Sequence, residues 1–191
     1  MNSSSPFLTE RTSLADTPAG RIAIAVAILA ALVLWLLAAG RPAACPCGTV
    51  RLFVADAASP QTSQQVADWY SALHIVFGLA LWLWLDTIRP HWPVGRRLLV
   101  AFASAAIWEA VENLPFIIAV FGNAPGAPPY AGDSILNAVA DTLFVVLGFL
   151  IGRALPGWAM LTLALGLEAL VWSMANDGYA LGALRVLGLP V

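Results

Sequence analysis

Two short stretches place polar groups at spacings that could do chemistry. In WEAVEN, Glu109, Glu112 and Asn113 stand at i, i+3 and i+4, which is one face of a helix. In GDSILNAVAD, Asp133, Asn137 and Asp141 recur every fourth residue and again form one stripe, with Ser134 beside them. His74 and Glu168 lie in two further apolar segments. A carboxyl pair with an imidazole can move protons as acid and base, or hold a divalent cation through oxygen and nitrogen. Either use requires the two stripes to face each other.

Charge accounting sharpens the question. Five carboxyl groups, on Glu109, Glu112, Asp133, Asp141 and Glu168, share the level of one histidine, with no basic residue on the helix faces around them. An ionisable group at mid-membrane costs at least about 2.5 to 3.5 kcal/mol unless it is paired or faces water. The five cannot all be ionised in a low dielectric without a counter-ion. Three solutions stay open: some carboxyls keep their proton, an arginine outside the spans (Arg41, Arg51 or Arg185) folds inward, or a divalent ion such as Mg²⁺, Mn²⁺, Ca²⁺ or Zn²⁺ is bound. The candidate catalytic residues are Glu109, Glu112, Asp141 and His74. The candidate metal ligands are Glu109, Glu112, Asp133, Asp141 and His74, supported by Asn113, Asn137 and Ser134.

Plainer uses exist for the same residues. Asp133 and Ser134 can cap a helix start. Asn113 and Asn137 can join helices through hydrogen bonds worth about 0.6 kcal/mol each. Glu168 can be a protonated acid against a neighbouring helix. Pro115, two residues after Asn113, removes a backbone hydrogen bond and can kink its helix beside the acids.

The elements that position these groups must be membrane helices. The chain has 191 residues, 60% apolar and 10% charged, with a mean hydropathy of +0.82. A soluble domain of this size could not hide that much apolar surface. Five stretches, roughly 21–39, 70–86, 98–121, 134–152 and 157–174, approach the length a helix needs to cross the hydrocarbon core. The fold class expected is an all-α polytopic bundle of about five transmembrane helices. Residues 1–20 read as a disordered cytoplasmic tail, 21–174 as the membrane domain with an outer loop at 40–69, and 175–191 as a short outer segment. Ser59 and Pro60 read as N-cap and first residue of a second helix that starts outside the membrane. The length and late start of the first span favour an anchor over a cleaved signal, and RPAAC lacks the Leu of a lipoprotein cleavage box.

Arginine placement sets the orientation. Arg11, Arg21, Arg89, Arg96, Arg97 and Arg153 fall on one side and Arg41, Arg51 and Arg185 on the other, which puts the N-terminus inside a bacterial inner membrane. Membrane lipids are then the obligatory partners, and a homo-oligomer or a second membrane subunit remains open. No basic cluster points to nucleic acid, and no phosphate-cradling glycine loop or dinucleotide fingerprint is present. Cys45 and Cys47 could ligate a soft metal or pair as a disulfide, within or between chains. Asp68, Ser71 and His74 share a helix face, yet a catalytic triad normally draws its members from separate elements.

CPCG, SQQVADWYSALHIVFG, WEAVENLPFII and GDSILNAVADTLFVVLGF resemble the successive motifs of a bacterial inner-membrane family catalogued as domain of unknown function 2585. The resemblance runs from Cys45 to the end of the fourth span and continues more weakly through Glu168 and Asp177. More distantly, the acidic pair followed by DSILNAVAD is similar to VanZ-like membrane proteins, some of which are linked to glycopeptide resistance. The resemblance implies a multi-spanning membrane protein and no established activity. The family pattern often carries histidine where this chain has Gln65 and Phe77, so a histidine-rich metal site is not implied for this chain. Three functions are compatible with the residues: a metal- or carboxyl-dependent step on a lipid or envelope precursor, a proton- or cation-coupled binding or transport protein, and a non-catalytic accessory subunit.

Overall fold

The computed structural model describes residues 14–122 and 130–189. Its elements are a helical turn at Leu14–Asp16 and the helices α1 (Pro18–Ala38), α2 (Ser71–Ile88), α3 (Val94–Glu112), α4 (Pro115–Gly122), α5 (Ile135–Ala154), α6 (Gly157–Ala175) and α7 (Tyr179–Val186). No strand occurs among the described residues. Four helices, α1, α2, α5 and α6, are long and apolar enough to cross a membrane, and α3 with α4 makes a fifth candidate span bent by 74°. The protein is therefore an all-α membrane bundle. Its outward faces, with Ile22, Val26, Leu34, Leu161, Leu165 and Trp172 exposed, are apolar surfaces that lipid would cover.

Local chemistry sets the helix ends. Thr17 caps α1, its hydroxyl accepting from the Gly20 N–H at 3.0 Å, and Pro18 supplies the preset φ of a first helical residue. Ser134 does the same for α5, accepting from the Asn137 N–H at 3.1 Å. At the other end of α6, Asn176 takes the left-handed conformation (φ 52°) that closes a helix.

The centre of the bundle is the pairing of α2 with α5. A Cβ added at Gly78 would stand 2.1 Å from the Val145 carbonyl oxygen, and one at Gly148 would stand 2.1 Å from the Ile75 carbonyl oxygen. Only hydrogen-sized side chains permit this backbone-to-backbone approach. Leu81, Leu85, Ala101, Ala105, Val145 and Phe149 pack around it and bring α3 onto the same core. A second cluster, including Leu32, Leu36, Ala106 and Ala138, lays α1 on α3 and α5. Val171 and Ala175 attach α6 beside Leu73 of α2.

Several sequence expectations need correction. The third apolar stretch is not one helix over 98–121. It breaks at Asn113 and Leu114, because Pro115 has no N–H to donate and the Asn113 amide is engaged elsewhere. Ser59 and Pro60 do not start α2. The Ser59 hydroxyl accepts from the Gln61 N–H at 3.2 Å in a turn, and Ser63 stands at φ 61°, outside any helix. The true start is built by Asp68, whose carboxylate accepts from the Tyr70 N–H at 2.9 Å, while Ser71 Oγ accepts from the Asp68 N–H at 3.2 Å. Residues 14–20 of the expected disordered tail are folded, and residues 1–13 lie outside the described residues. Cys45 and Cys47 are joined to each other as a disulfide.

Replacing Gly148 by Val should force α2 away from α5 and cost about 1 to 3 kcal/mol of stability, the usual range for overpacking. Gly166→Ala, where an added Cβ meets nothing within 4 Å, should leave stability unchanged or improved. Unfolding of the two purified variants in mixed micelles compares them, and equal midpoints would remove the close approach from the account.

Candidate functional site

The α2–α5 contact decides where His74 goes. His74 lies one turn before Gly78, so the close approach sets its imidazole against Asp141 of α5, with Nε2 at 3.7 Å from Oδ2. The other nitrogen, Nδ1, lies 3.5 Å from Glu109 Oε1 of α3. One imidazole therefore sits between carboxyl groups from two different helices. Asp141 is held from behind by Ser71, whose hydroxyl donates to Oδ1 at 2.8 Å. Glu109 is 1% exposed, and its Oε1 has no hydrogen-bond partner.

Glu112, one turn on from Glu109, completes the group. One ligand atom each from His74, Glu109 and Glu112 lie within 4.8 Å of one another. Donors that close can share one cation after small side-chain adjustments, since metal–oxygen distances are about 2.0 to 2.6 Å. A nitrogen and two carboxylates suit a divalent ion of the Mn²⁺ or Zn²⁺ kind.

Asp133 has a different task. Its Oδ2 accepts from Asn113 Nδ2 at 2.6 Å and from the Tyr130 hydroxyl at 3.1 Å, while its backbone N–H donates to Asn113 Oδ1 at 2.9 Å. These bonds fasten the break after α3 to the start of α5. Burial pushes the Asp133 carboxyl up to about 6, against the pull of the Asn113 and Tyr130 hydrogen bonds toward the charged form. Arg41 does fold inward, but it donates to the backbone carbonyls of Ala131 (2.8 Å) and Asp133 (2.7 Å). Ser134 and Asn137 join α5 to the long loop: Ser134 Oγ donates to Gln64 O and Asn137 Nδ2 to Gln65 O, each at 3.0 Å.

Other groups fall outside the cluster. Glu168 accepts from the Ala180 N–H at 3.3 Å and so caps the first turn of α7. Arg185 pairs with Asp177, which also accepts from the Tyr70 hydroxyl at 3.2 Å. Among the described residues, no arginine forms an ion pair with Glu109, Glu112 or Asp141. Asp68, Ser71 and His74 form no relay, because the Ser71 hydroxyl donates to Asp141 and the Asp68 carboxylate is engaged by backbone N–H groups. Gln65 is buried with its amide bonded to the Arg51 N–H and the Thr49 carbonyl.

A cavity of about 580 Å³ opens onto the cluster. Its lining includes His74, Glu112, Asp133, Asp141 and Asp177 together with the apolar Leu73, Trp108, Phe121, Ala183 and Val186. The walls from α4 and α7 escaped sequence reasoning, since nothing in their spacing ties them to the acids. The Ser71 link was detectable as a hydroxyl three residues before His74, but its partner lies 70 residues away.

Fold and cluster together define a polytopic helical membrane protein with an acid–histidine cluster at the head of its central helix pair. The chain belongs to the family described as protein of unknown function (DUF2585), whose model matches residues 36–191. It is similar to the UPF0314 protein of Paracoccus denitrificans, at 40% identity over 162 residues, covering 85% of this chain and 83% of that one. The UPF0314 protein of Sphingopyxis alaskensis is 38% identical over 163 residues, covering 85% and 87%. That of Brucella anthropi is 40% identical over 165 residues, covering 86% and 83%. No solved structure matches the chain with significance.

The Asp133 carboxyl carries a pH prediction. A folded pKa raised from 3.8 to about 6 means that its contribution to stability is fully present below 3.8 and is lost as pH rises through about 6. Asn113→Ala removes a donor to the charged form and should move the pKa further up. Titration of the carboxyl infrared band in ¹³C-aspartate protein reads it, and an unchanged or lower value would contradict the clasp.

Proposed function

We propose that this is an inner-membrane protein, N-terminus inside, that holds a divalent cation at His74, Glu109 and Glu112 and acts on a lipid or lipid-linked envelope precursor from the periplasmic side. One observation carries the reading. Glu109 Oε1 is buried, unpartnered and 3.5 Å from His74, in a cluster that no arginine among the described residues neutralises. A buried acceptor in that position needs a proton or a cation. The imidazole and the second carboxyl beside it favour the cation. The arginine asymmetry supports the orientation, and the cavity supports access to the cluster.

The residues divide the work as follows. Glu109 and Glu112 bind. Asp141, fixed by Ser71, stands 3.7 Å from one imidazole nitrogen and leaves the other to face Glu109, so its carboxyl favours this orientation of the ring. A divalent ion held by these residues would supply a Lewis acid toward a carbonyl or phosphoryl oxygen and would lower the pKa of a bound water. Asp141, the cavity-lining carboxyl beside His74 but outside that ligand set, would be the acceptor for a proton released there. A second reading rests on the series Ser71, Asp141, His74 and Glu109, whose polar atoms stand 2.8, 3.7 and 3.5 Å apart in turn, a spacing that suits a proton or cation path across the head of the bundle.

Metal content after dialysis against Mn²⁺ tests the proposal. Wild-type protein in detergent should retain about one ion per chain. Glu109→Gln should weaken binding at least about tenfold and fail to complement a deletion while reaching wild-type abundance in the membrane. Full complementation with no bound ion would overturn the metal site, and complementation by the Gln variant would overturn any role for the cluster.

A further inference from the structure

We propose that the cavity accepts an amphiphile lengthwise. Its oxygen-bearing head, a phosphate or a carboxyl ester, lies at the His74–Glu112 end, and its hydrocarbon chain lies along the wall made by α4 and α7. The inference rests on the cation reading above and adds how the substrate lies and which groups hold its head and its chain.

The cavity is lined by both ionisable and apolar side chains. His74 of α2, Glu112 of α3, Asp141 of α5 and Asp133 before α5 are joined by Asp177 before α7, which Arg185 neutralises, whereas Phe121 of α4 with Ala183, Val186 and Leu187 at the end of α7 supply apolar lining. Helix α7 is short, and polar ties hold it in place. Glu168 accepts from the Ala180 N–H, Arg185 pairs with Asp177, and the Tyr179 hydroxyl donates to the Leu73 carbonyl at 2.6 Å. These ties use the polar groups of α7 and leave its apolar side chains to the cavity and its rim. At that rim Val186 is 56% and Leu187 74% exposed, so the opening is bordered by hydrocarbon-compatible surface. A freely water-soluble substrate would have no use for such a border.

Gly182 supplies an independent sign. A glycine inside a helix costs about 1 kcal/mol relative to alanine. Yet a Cβ at Gly182 would meet only Phe121 Cε1, at an ordinary 3.6 Å. Alanine therefore fits, while a longer side chain would extend beside Phe121 into the cavity. The glycine keeps open the part of the cavity farthest in chemistry from the acids.

The head group follows from what the His74–Glu112 end lacks. Arg41 is committed to carbonyls and Arg185 to Asp177, so no basic side chain is available there to bind an anion directly. Glu112 both lines the cavity and belongs to the ligand group, so a cation held there faces the cavity and completes its shell with substrate oxygen. Phosphate and ester carbonyl share that chemistry.

Paramagnetic relaxation in Mn²⁺-loaded, detergent-solubilised protein tests this directly. The probes are dodecyl phosphate (³¹P), dodecyl acetate labelled at the carbonyl (¹³C) and methyl phosphate. At least one dodecyl probe should show saturable relaxation enhancement that requires Mn²⁺, and whichever responds identifies the head group. Methyl phosphate should bind at least about tenfold more weakly, because it buries no chain. Gly182→Leu should reduce the dodecyl probe to the methyl phosphate level while Mn²⁺ content stays at the wild-type value, and Gly182→Ala should behave as wild type. Equal binding of short and long probes, or a Gly182→Leu variant that still binds dodecyl probes fully, would overturn the chain wall with the metal site intact. Displacement of Mn²⁺ by dodecyltrimethylammonium would assign the pocket to a cationic head instead. A wild-type protein that binds no Mn²⁺ would overturn the metal reading and this one together.

Discussion

A carboxyl group taken out of water must keep its proton, collect hydrogen bonds or find a positive charge, and the head of this bundle is organised around which acid does which. Asp68 collects backbone N–H groups and thereby starts α2. Asp133 collects Asn113 and Tyr130 and thereby fastens the broken helix. Asp177 finds Arg185 and thereby seats α7. Glu168 becomes the cap of that same helix. Each of these acids has a structural use that accounts for it. Among the described residues, Glu109 Oε1 and Glu168 Oε2 are the carboxyl oxygens buried without a partner, and of the two it is Glu109 that has an imidazole and a second carboxyl beside it, which is the ground for proposing a cation there.

The geometry that gathers this cluster begins in the centre of the bundle. Gly78 and Gly148 allow α2 and α5 to touch through their backbones, which carries His74 to Asp141. The break at Asn113 then ends α3 just where Glu109 and Glu112 have reached the same level. A straight third helix would have run on past this point, and α4 would not be free to turn aside as a cavity wall. One proline and two glycines, tolerated in a membrane where neighbouring helices satisfy freed backbone groups, thus set the positions of His74, Glu109 and Glu112.

Much of this was legible in the residues. Hydropathy showed an all-helical membrane bundle because lipid leaves the backbone few other choices. The i, i+3 and i+4 spacing showed Glu109, Glu112 and Asn113 to be neighbours, and Pro115 marked the helix break. What the residues did not show was partition within a stripe. Asp133, Asn137 and Asp141 share one face, yet Asp133 turns to Asn113, Asn137 to the Gln65 carbonyl and only Asp141 to His74. Spacing fixes the face of a helix, but partners come from loops whose course depends on turns such as that at Ser63. The same reason hid the start of α2 and the walls from α4 and α7, which no periodicity connects to the acids.

The claim on which the account rests is that His74 nitrogen and Glu109 oxygen meet one metal ion. Pulsed electron–nuclear double resonance on Mn²⁺-loaded protein addresses it, because a directly bound imidazole nitrogen gives a hyperfine coupling that solvent-borne Mn²⁺ lacks. The account predicts one ion per chain with a nitrogen coupling that disappears in His74→Ala and not in His91→Ala, the chain's other histidine. Bound Mn²⁺ without nitrogen coupling, or coupling that survives the loss of His74, would contradict it.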